Sequence, residues 1–403
     1  MKILFVANRM PYPPYRGDKL KIFNLAKQLA PFHRLHLLTV AESHEDIAYG
    51  EQLKKMTLDN GLPLFERIDW VYRPKLKSYG AALLGLLGNR PLQLAFFRSR
   101  AFQKRLNFFL GESYDAIHVQ HLRMGQYFDG SVPANAVLDL PDAFSLYWKR
   151  RRDQARNPLL KWFNGMEYRR MKIWEQRLLP QFALNLVCSH EDRAYLQEHC
   201  GLAQGQLNML PNGVDTDAFA PQSVDSPRAQ VLFTGNMDYA PNVDAVAWFA
   251  AEIWPEVLKQ VPHAKWIIAG QRPVASVRAL ESESIQVLGF VPHLADAYAH
   301  AQVVISPLRL GAGTQNKVLE AMSMAKAVVS SEVGFYGLGI ESGQGVVLAK
   351  TAAEIAKATV ALLQNPDQAV DIGQKGYELV QSRFAWRVVA KQLENYLQGI
   401  RRD

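Results

Sequence analysis

The stretch GAGTQNKVLEAM (311–322) gathers residue types suited to holding an anion. Gly311 and Gly313 let a backbone turn tightly and approach a ligand with no Cβ in the way. Thr314 belongs to the residue types that cap helix N-termini. A helix starting at Gln315 or Asn316 would then aim its free N–H groups back at the loop. Lys317 in the first turn adds a full positive charge. Glu320 follows one turn later on the same face, where its carboxylate can accept two hydrogen bonds from a diol such as that of a ribose. Arg309 is a second cation close to the loop. Known phosphate loops fit poorly. Read as G-x-x-x-x-G-K-[ST], the segment has Asn316 for the last glycine and Val318 for the magnesium-binding hydroxyl, and a dinucleotide G-x-G-x-x-G would also need glycine at Asn316. The simpler alternative is an ordinary strand, loop and helix with Lys317 and Glu320 as a surface ion pair.

Such a loop needs a sheet behind it. Short apolar, β-branched runs recur at 2–8, 34–40, 115–122, 136–140 and 184–189, and again at 231–237, 266–270, 285–291, 303–308, 327–331 and 345–349. Segments of helical periodicity lie between them. Strands that are apolar throughout and alternate with helices predict a parallel sheet covered on both faces. The 403 residues exceed one ordinary domain. The fold class is therefore α/β, with two tandem doubly wound, Rossmann-like domains facing across a cleft: 1–225, and 226–385, with 386–403 packing back on the first. The join falls in PNGVDTDAFAPQSVDSP (211–227). Charge divides the same way, with 30 Lys/Arg against 22 Asp/Glu in 1–225 and 12 against 14 in 226–385. The two domains thus face different partners. No apolar run reaches the roughly 20 residues of a membrane-spanning helix, and KILFV at the start reads as a strand rather than a signal peptide. Two cysteines, Cys188 and Cys200, fit a reducing cytoplasm and exclude a cysteine-built zinc site.

The order of strand, PLRLGAGTQNKVLEAMSMAKAVVSS and strand resembles the donor-binding segment of retaining glycosyltransferases of family four, which have the GT-B fold. PNGVDTDAF resembles that family's inter-domain signature, and PYPPYRGDKLKIFNLAKQLA its N-terminal glycine loop. The last of these, with GTQNKVLEAMSMAKAVV, is most similar to the sugar transferases of exosortase and exopolysaccharide loci. The resemblance implies a nucleotide-sugar donor, UDP- or GDP-linked, with its diphosphate on Arg309, Gly311, Gly313, Thr314, Gln315, Asn316 and Lys317 and its ribose on Glu320. It implies no further cofactor. Two departures stand out. The family's second glutamate is replaced by Ala312, and GNMDYAPN lacks the Arg and Lys that usually clamp the diphosphate. The family also places a histidine after a central strand of the first domain. In DAIHVQHLRMGQY this falls to His121, at the strand end, rather than His118, which an alternating strand turns into the sheet layer. In RGDKLKIFNLA (16–26), Gly17 would give the backbone its close approach to the acceptor, beside Arg16, Asp18 and Lys19. Asp139 and Asp142 end another strand. Asp142 would either orient acceptor hydroxyls or cap the next helix. Asp215 and Asp217 form a D-x-D pair within the linker signature, and no metal site is expected.

The surplus cations have an amphipathic setting. Residues 70–111 hold eight Lys/Arg and no acid, among five phenylalanines, and 149–177 hold ten Lys/Arg against three acids. Cations interleaved with apolar residues at helical spacing suit an anionic bilayer surface. The blocks match no nucleic-acid module. The reading is a cytoplasmic enzyme, peripheral on the inner face of the cytoplasmic membrane, moving a sugar to a glycan or lipid-linked acceptor and binding no nucleic acid. A sugar-nucleotide epimerase of the same fold and a non-catalytic scaffold are the alternatives.

Overall fold

A computed structural model describes residues 1–14, 17–85, 88–224, 229–310 and 315–400, with the backbone alone at 77 and 81–84. It divides into two compact units, Met1–Pro211 with Val389–Asp403, and Asn212–Val388. The first division falls earlier than the linker composition suggests, because residues after Pro211 are tied into the second unit. Val214 bridges Ala385 in parallel, and the Phe219 carbonyl accepts from the Ser323 hydroxyl at 2.7 Å.

The first unit holds β1 (Lys2–Val6), β2 (Arg34–Ala41), β3 (Arg67–Tyr72), β4 (Ala116–Gln120), β5 (Ala136–Leu140), β6 (Leu184–Val187) and β7 (Leu207–Met209). They pair in parallel in the order β3-β2-β1-β4-β5-β6-β7. The second unit holds β8 (Gln230–Thr234), β9 (Lys265–Ala269), β10 (Ile285–Gly289), β11 (Val303–Ser306), β12 (Ala327–Ser330) and β13 (Val346–Leu348), in the parallel order β10-β9-β8-β11-β12-β13. The period of two along a strand explains why the runs are apolar without interruption. On β11, Val303 and Ile305 join a core with Phe249, Trp254 and Trp266, while Val304 joins the opposite core with Met322 and Phe384. Both faces are buried, so both parities must be apolar.

One helix of the first unit, Pro158–Leu178, matters below. Proline at its first position has no N–H to lose there, and the Asn157 side chain accepts from the Leu159 and Leu160 amides at 2.9 and 3.3 Å. Its two glutamates face inward. Glu167 accepts from the Leu92 amide at 2.9 Å, and Glu175 from the Ser145 amide at 3.1 Å. With the acids consumed inside, the helix's outer face is left to arginine, tryptophan and isoleucine. The helix Trp386–Gly399 ends in the first unit, where Glu394 reaches His33 at 3.1 Å and Tyr396 donates to the Met209 carbonyl at 3.1 Å.

Candidate functional site

Strand order reverses between β8 and β11 in the second unit and between β1 and β4 in the first. Ligands of open α/β sheets bind outside the carboxyl ends of the strands at such points.

In the second unit, the chain leaves β8 through Gly235. A Cβ there would lie 2.6 Å from Asn242 Nδ2, and one on Gly270 would lie 1.7 Å from the Gly235 carbonyl oxygen. Glycine at both positions lets the two loops close together with Asn242 against the backbone. Asn242 is buried and accepts from Lys317 Nζ at 2.7 Å. The helix carrying Lys317, Asn316–Ser323, turns its apolar side onto the sheet, so Lys317 is only 9% exposed. Its ammonium also lies 4.2 Å from the Phe233 ring centroid. An amide and a ring face hold the cation, with no carboxylate in ion-pair contact among the described residues. Burial pulls its pKa down to about 7, against the opposing pull of Glu320. Glu320 is part-buried. Its Oε2 accepts from the Tyr298 hydroxyl at 2.9 Å, which in turn sits 2.7 Å from Thr234 Oγ1. Burial raises this carboxyl above the usual range. Lys317 and Glu320 therefore have separate partners and do not form the surface pair that local sequence allowed.

Two other expectations for this loop change. The residue preceding the helix in the cap position is Gln315, with no side-chain cap bond, and the helix begins at Asn316. Thr314, expected to cap, lies with Gly311 and Gly313 outside the described residues, as does Arg16 of the first unit. Arg309 is already neutralised: its guanidinium makes two hydrogen bonds to Asp244, at 3.0 and 2.5 Å, and lies over Trp248.

In the first unit, Asn8 follows β1, is fully buried, and among the described residues has neither amide atom hydrogen-bonded. His121 follows β4 with φ +80°, a left-handed conformation costly for a residue with a Cβ. Its amide donates to the Asp139 carbonyl at 2.7 Å, and its ring stacks on Phe144 at 4.4 Å. Nδ1 accepts from the Arg123 amide at 3.3 Å, which leaves the proton on Nε2. Burial, with Arg123 and Arg9 nearby, holds the pKa well below the ordinary value, so the imidazole is neutral. Arg123 is part-buried; among the described residues its Nε is unpaired, while the guanidinium donates to Gln93 Oε1 at 3.3 Å and lies over Phe97 and Phe144. Asp142 is part-buried and forms no hydrogen bond among the described residues. Burial and the Asp192 carboxylate push its pKa up to about 7. It does not cap the following helix, whose cap position is Ala143 with no side-chain bond. Gly17 opens the helix Gly17–Leu29, and a Cβ added there would meet nothing within 4 Å.

Two candidates turn out to be structural. Asp139 is sealed between Lys21 Nζ at 2.7 Å and His118 Nε2 at 3.1 Å, all three at most 3% exposed. Asp215 turns back on its own chain, its carboxylate accepting from the Asp217 and Ala218 amides at 3.2 and 3.0 Å. Among the described residues no three His, Cys, Asp or Glu side chains cluster as metal ligands, and no helix is long and apolar enough to cross a membrane.

Two family models match the chain: Glycosyltransferase Family 4 over residues 22–218 and Glycosyl transferases group 1 over 228–365. The chain belongs to glycosyltransferase family 4. Its fold is GT-B, and it is a transferase. A protein of the cps region of Klebsiella pneumoniae is 23% identical over 95% of this glycosyltransferase and 96% of its own length. The GDP-mannose:cellobiosyl-diphosphopolyprenol alpha-mannosyltransferase of Xanthomonas oryzae pv. oryzae is 26% identical over 48% of this chain and 53% of its own. Anabaena HepE, solved with UDP and glucose, superposes with a TM-score of 0.66 at 16% identity, covering 99% of this chain and all of that one.

The structure thus brings Lys317 and Glu320 together at one switch point of the glycosyltransferase, and sets His121 after β4 at the other. Sequence reading missed Asn242 and Tyr298, the partners of the two donor-side residues, Arg123 and Phe144 beside His121, and Asn8 after β1. NMDYAPN carried a usable signal: an amide residue near the first strand of the second unit, where the family's cations are absent.

Proposed function

We propose that the enzyme is a retaining hexosyltransferase that moves a sugar from a UDP- or GDP-linked donor to a lipid-linked glycan in exopolysaccharide or envelope glycan synthesis. Lys317 carries this reading. A buried ammonium with no carboxylate partner, at a switch point and in the first turn of a helix, is stabilised by an anion such as a diphosphate. Glu320, steadied by Tyr298 on one oxygen, offers the other to ribose hydroxyls. His121 Nε2–H donates to a sugar hydroxyl as a neutral imidazole. Asp142, with a pKa near neutrality, accepts from the acceptor hydroxyl, and the departing diphosphate takes the proton on the face it leaves. Catalysis is then positioning and charge stabilisation. The basic segments 70–111 and 149–177 hold the enzyme on the inner surface of the cytoplasmic membrane, where a lipid-linked acceptor lies. The cps-region relative and the diphosphopolyprenol acceptor in the mannosyltransferase's name support this setting.

The test is titration with UDP- and GDP-sugars, then product analysis by NMR. Binding lost in Lys317→Ala and Glu320→Ala, with an anomeric configuration matching the donor, supports the reading. Inversion at the anomeric carbon overturns the retaining assignment. Donor conversion without transfer favours the epimerase.

A further inference from the structure

We propose that the concavity between Arg90 and the helix Pro158–Leu178 binds the phosphate of an anionic lipid headgroup. This rests on the membrane-surface reading above and assigns it to one place. The two basic segments of the sequence converge here. Asn89 and Arg90 come from the first, and one face of the helix comes from the second, enclosing a cavity of about 760 Å³.

The charges within it are unequally satisfied. Arg170 meets Glu167 at 3.4 Å, and Arg177 meets Asp129 at 2.8 Å. Arg90 has a neutral partner, donating to Gln126 Oε1 at 2.8 Å while lying over the Trp174 ring at 4.7 Å. Arg169 forms no hydrogen bond or ion pair among the described residues. Two guanidiniums without a carboxylate thus line one concave site, and a planar fork of donors matches phosphate oxygens. Burial and the neighbouring Arg98 and Arg177 depress the Arg90 pKa, so added negative charge relieves it.

The rim identifies the source of the phosphate. Trp162 is 69% exposed and Ile173 is 61% exposed, and Met166 and Arg169 lie between them on the same helical stripe. Leu159, one turn before Trp162, is 77% exposed. A free phosphate offers this apolar stripe nothing. A bilayer surface offers acyl chains beside the same headgroup, and tryptophan favours that boundary.

The test is co-sedimentation of the full chain with vesicles of phosphatidylcholine alone or with phosphatidylglycerol, at low salt. Variants are Arg169→Glu and Trp162→Ala, with Lys27→Ala/Lys55→Ala, two exposed cations outside both basic segments, as a control on the same unit. Melting temperatures confirm that each is folded. The wild type should pellet only with anionic vesicles. Arg169→Glu should lower the partition coefficient about tenfold, Trp162→Ala somewhat less, and the control less than about threefold. No binding by the wild type sinks the membrane reading and this site with it. Equal binding by wild type and Arg169→Glu leaves the membrane reading standing and overturns the site. Arg169-dependent stabilisation by pyrophosphate without vesicle binding would reassign the site to a soluble anion. Arg169-dependent binding of a single-stranded oligonucleotide without vesicle binding would reassign it to nucleic acid.

Discussion

The two units share a strand order, the chain crossing back after the third strand to the free side of the first in each, yet their switch points are furnished for different work. The second presents a buried cation held by an amide and a carboxylate held by a phenol. The first presents a neutral imidazole in a forced backbone conformation, beside a carboxyl near its midpoint at neutral pH. Topology supplies a crevice in both cases. The buried groups left without a counter-charge decide what each crevice can accept.

The sharpest way to break this contrast is to remove the cation. Lys317→Ala should weaken nucleotide-sugar binding by roughly 10- to 100-fold, as befits lost charge-assisted hydrogen bonds of about 1.5–3 kcal/mol. Calorimetric titration measures it, and unchanged affinity would show that the glycine loop binds alone. The pH dependence follows from the same residue. Its free pKa is about 7, and a bound diphosphate raises it. Affinity should therefore be greatest below pH 7 and fall as pH rises through 8 and 9, with proton uptake on binding. In Lys317→Met that slope should vanish.

His121 tests the other crevice. Removing one positioned donor should lower kcat by about 10²-fold in His121→Ala. The φ of +80° adds a second expectation. His121→Gly should be more stable than His121→Ala by about 1 kcal/mol, read by chemical denaturation, because only glycine adopts that conformation freely. Equal stability would mean that the turn relaxes.

A smaller effect concerns Asp142. Its pKa in the fold, about 7, lies above that of an unfolded aspartate. Its contribution is favourable below pH 4 and lost as pH rises through 7, so Asp142→Asn should gain stability at pH 8, on the order of 1–2 kcal/mol after screening by solvent, and little at pH 4. Gly17→Ala should show the smallest structural effect. With open space where the Cβ would go, its melting temperature should shift by no more than a degree or two, while kcat/KM for acceptor falls. Unchanged kcat/KM would remove Gly17 from the acceptor site.

Most of the fold was legible because buried parallel strands must be apolar at both parities. The two strands not read in advance lacked that signature. β3, RIDWVY, lies at an edge with a charged residue at alternate positions, and β7 has three residues. Lys317 and Glu320 were visible by spacing along one helix. Their partners were not, because Asn242 and Tyr298 reach them across 75 and 22 residues of chain. Asp139 looked like Asp142 in sequence, two carboxylates near one strand end. Only the fold shows that Lys21 and His118 seal one of them and leave the other open.

The path of the chain through the two units bears on how the protein is made. Residues 212–388 form one uninterrupted stretch, whereas the first unit recruits residues from 389 onward. During synthesis the second unit can close on itself while the first still lacks the helix that brings Glu394 to His33 and Tyr396 to Met209. The first unit's sheet is translated early and completed late. Its half-finished face must wait for residues from 389 onward, which follow the whole of the second unit off the ribosome.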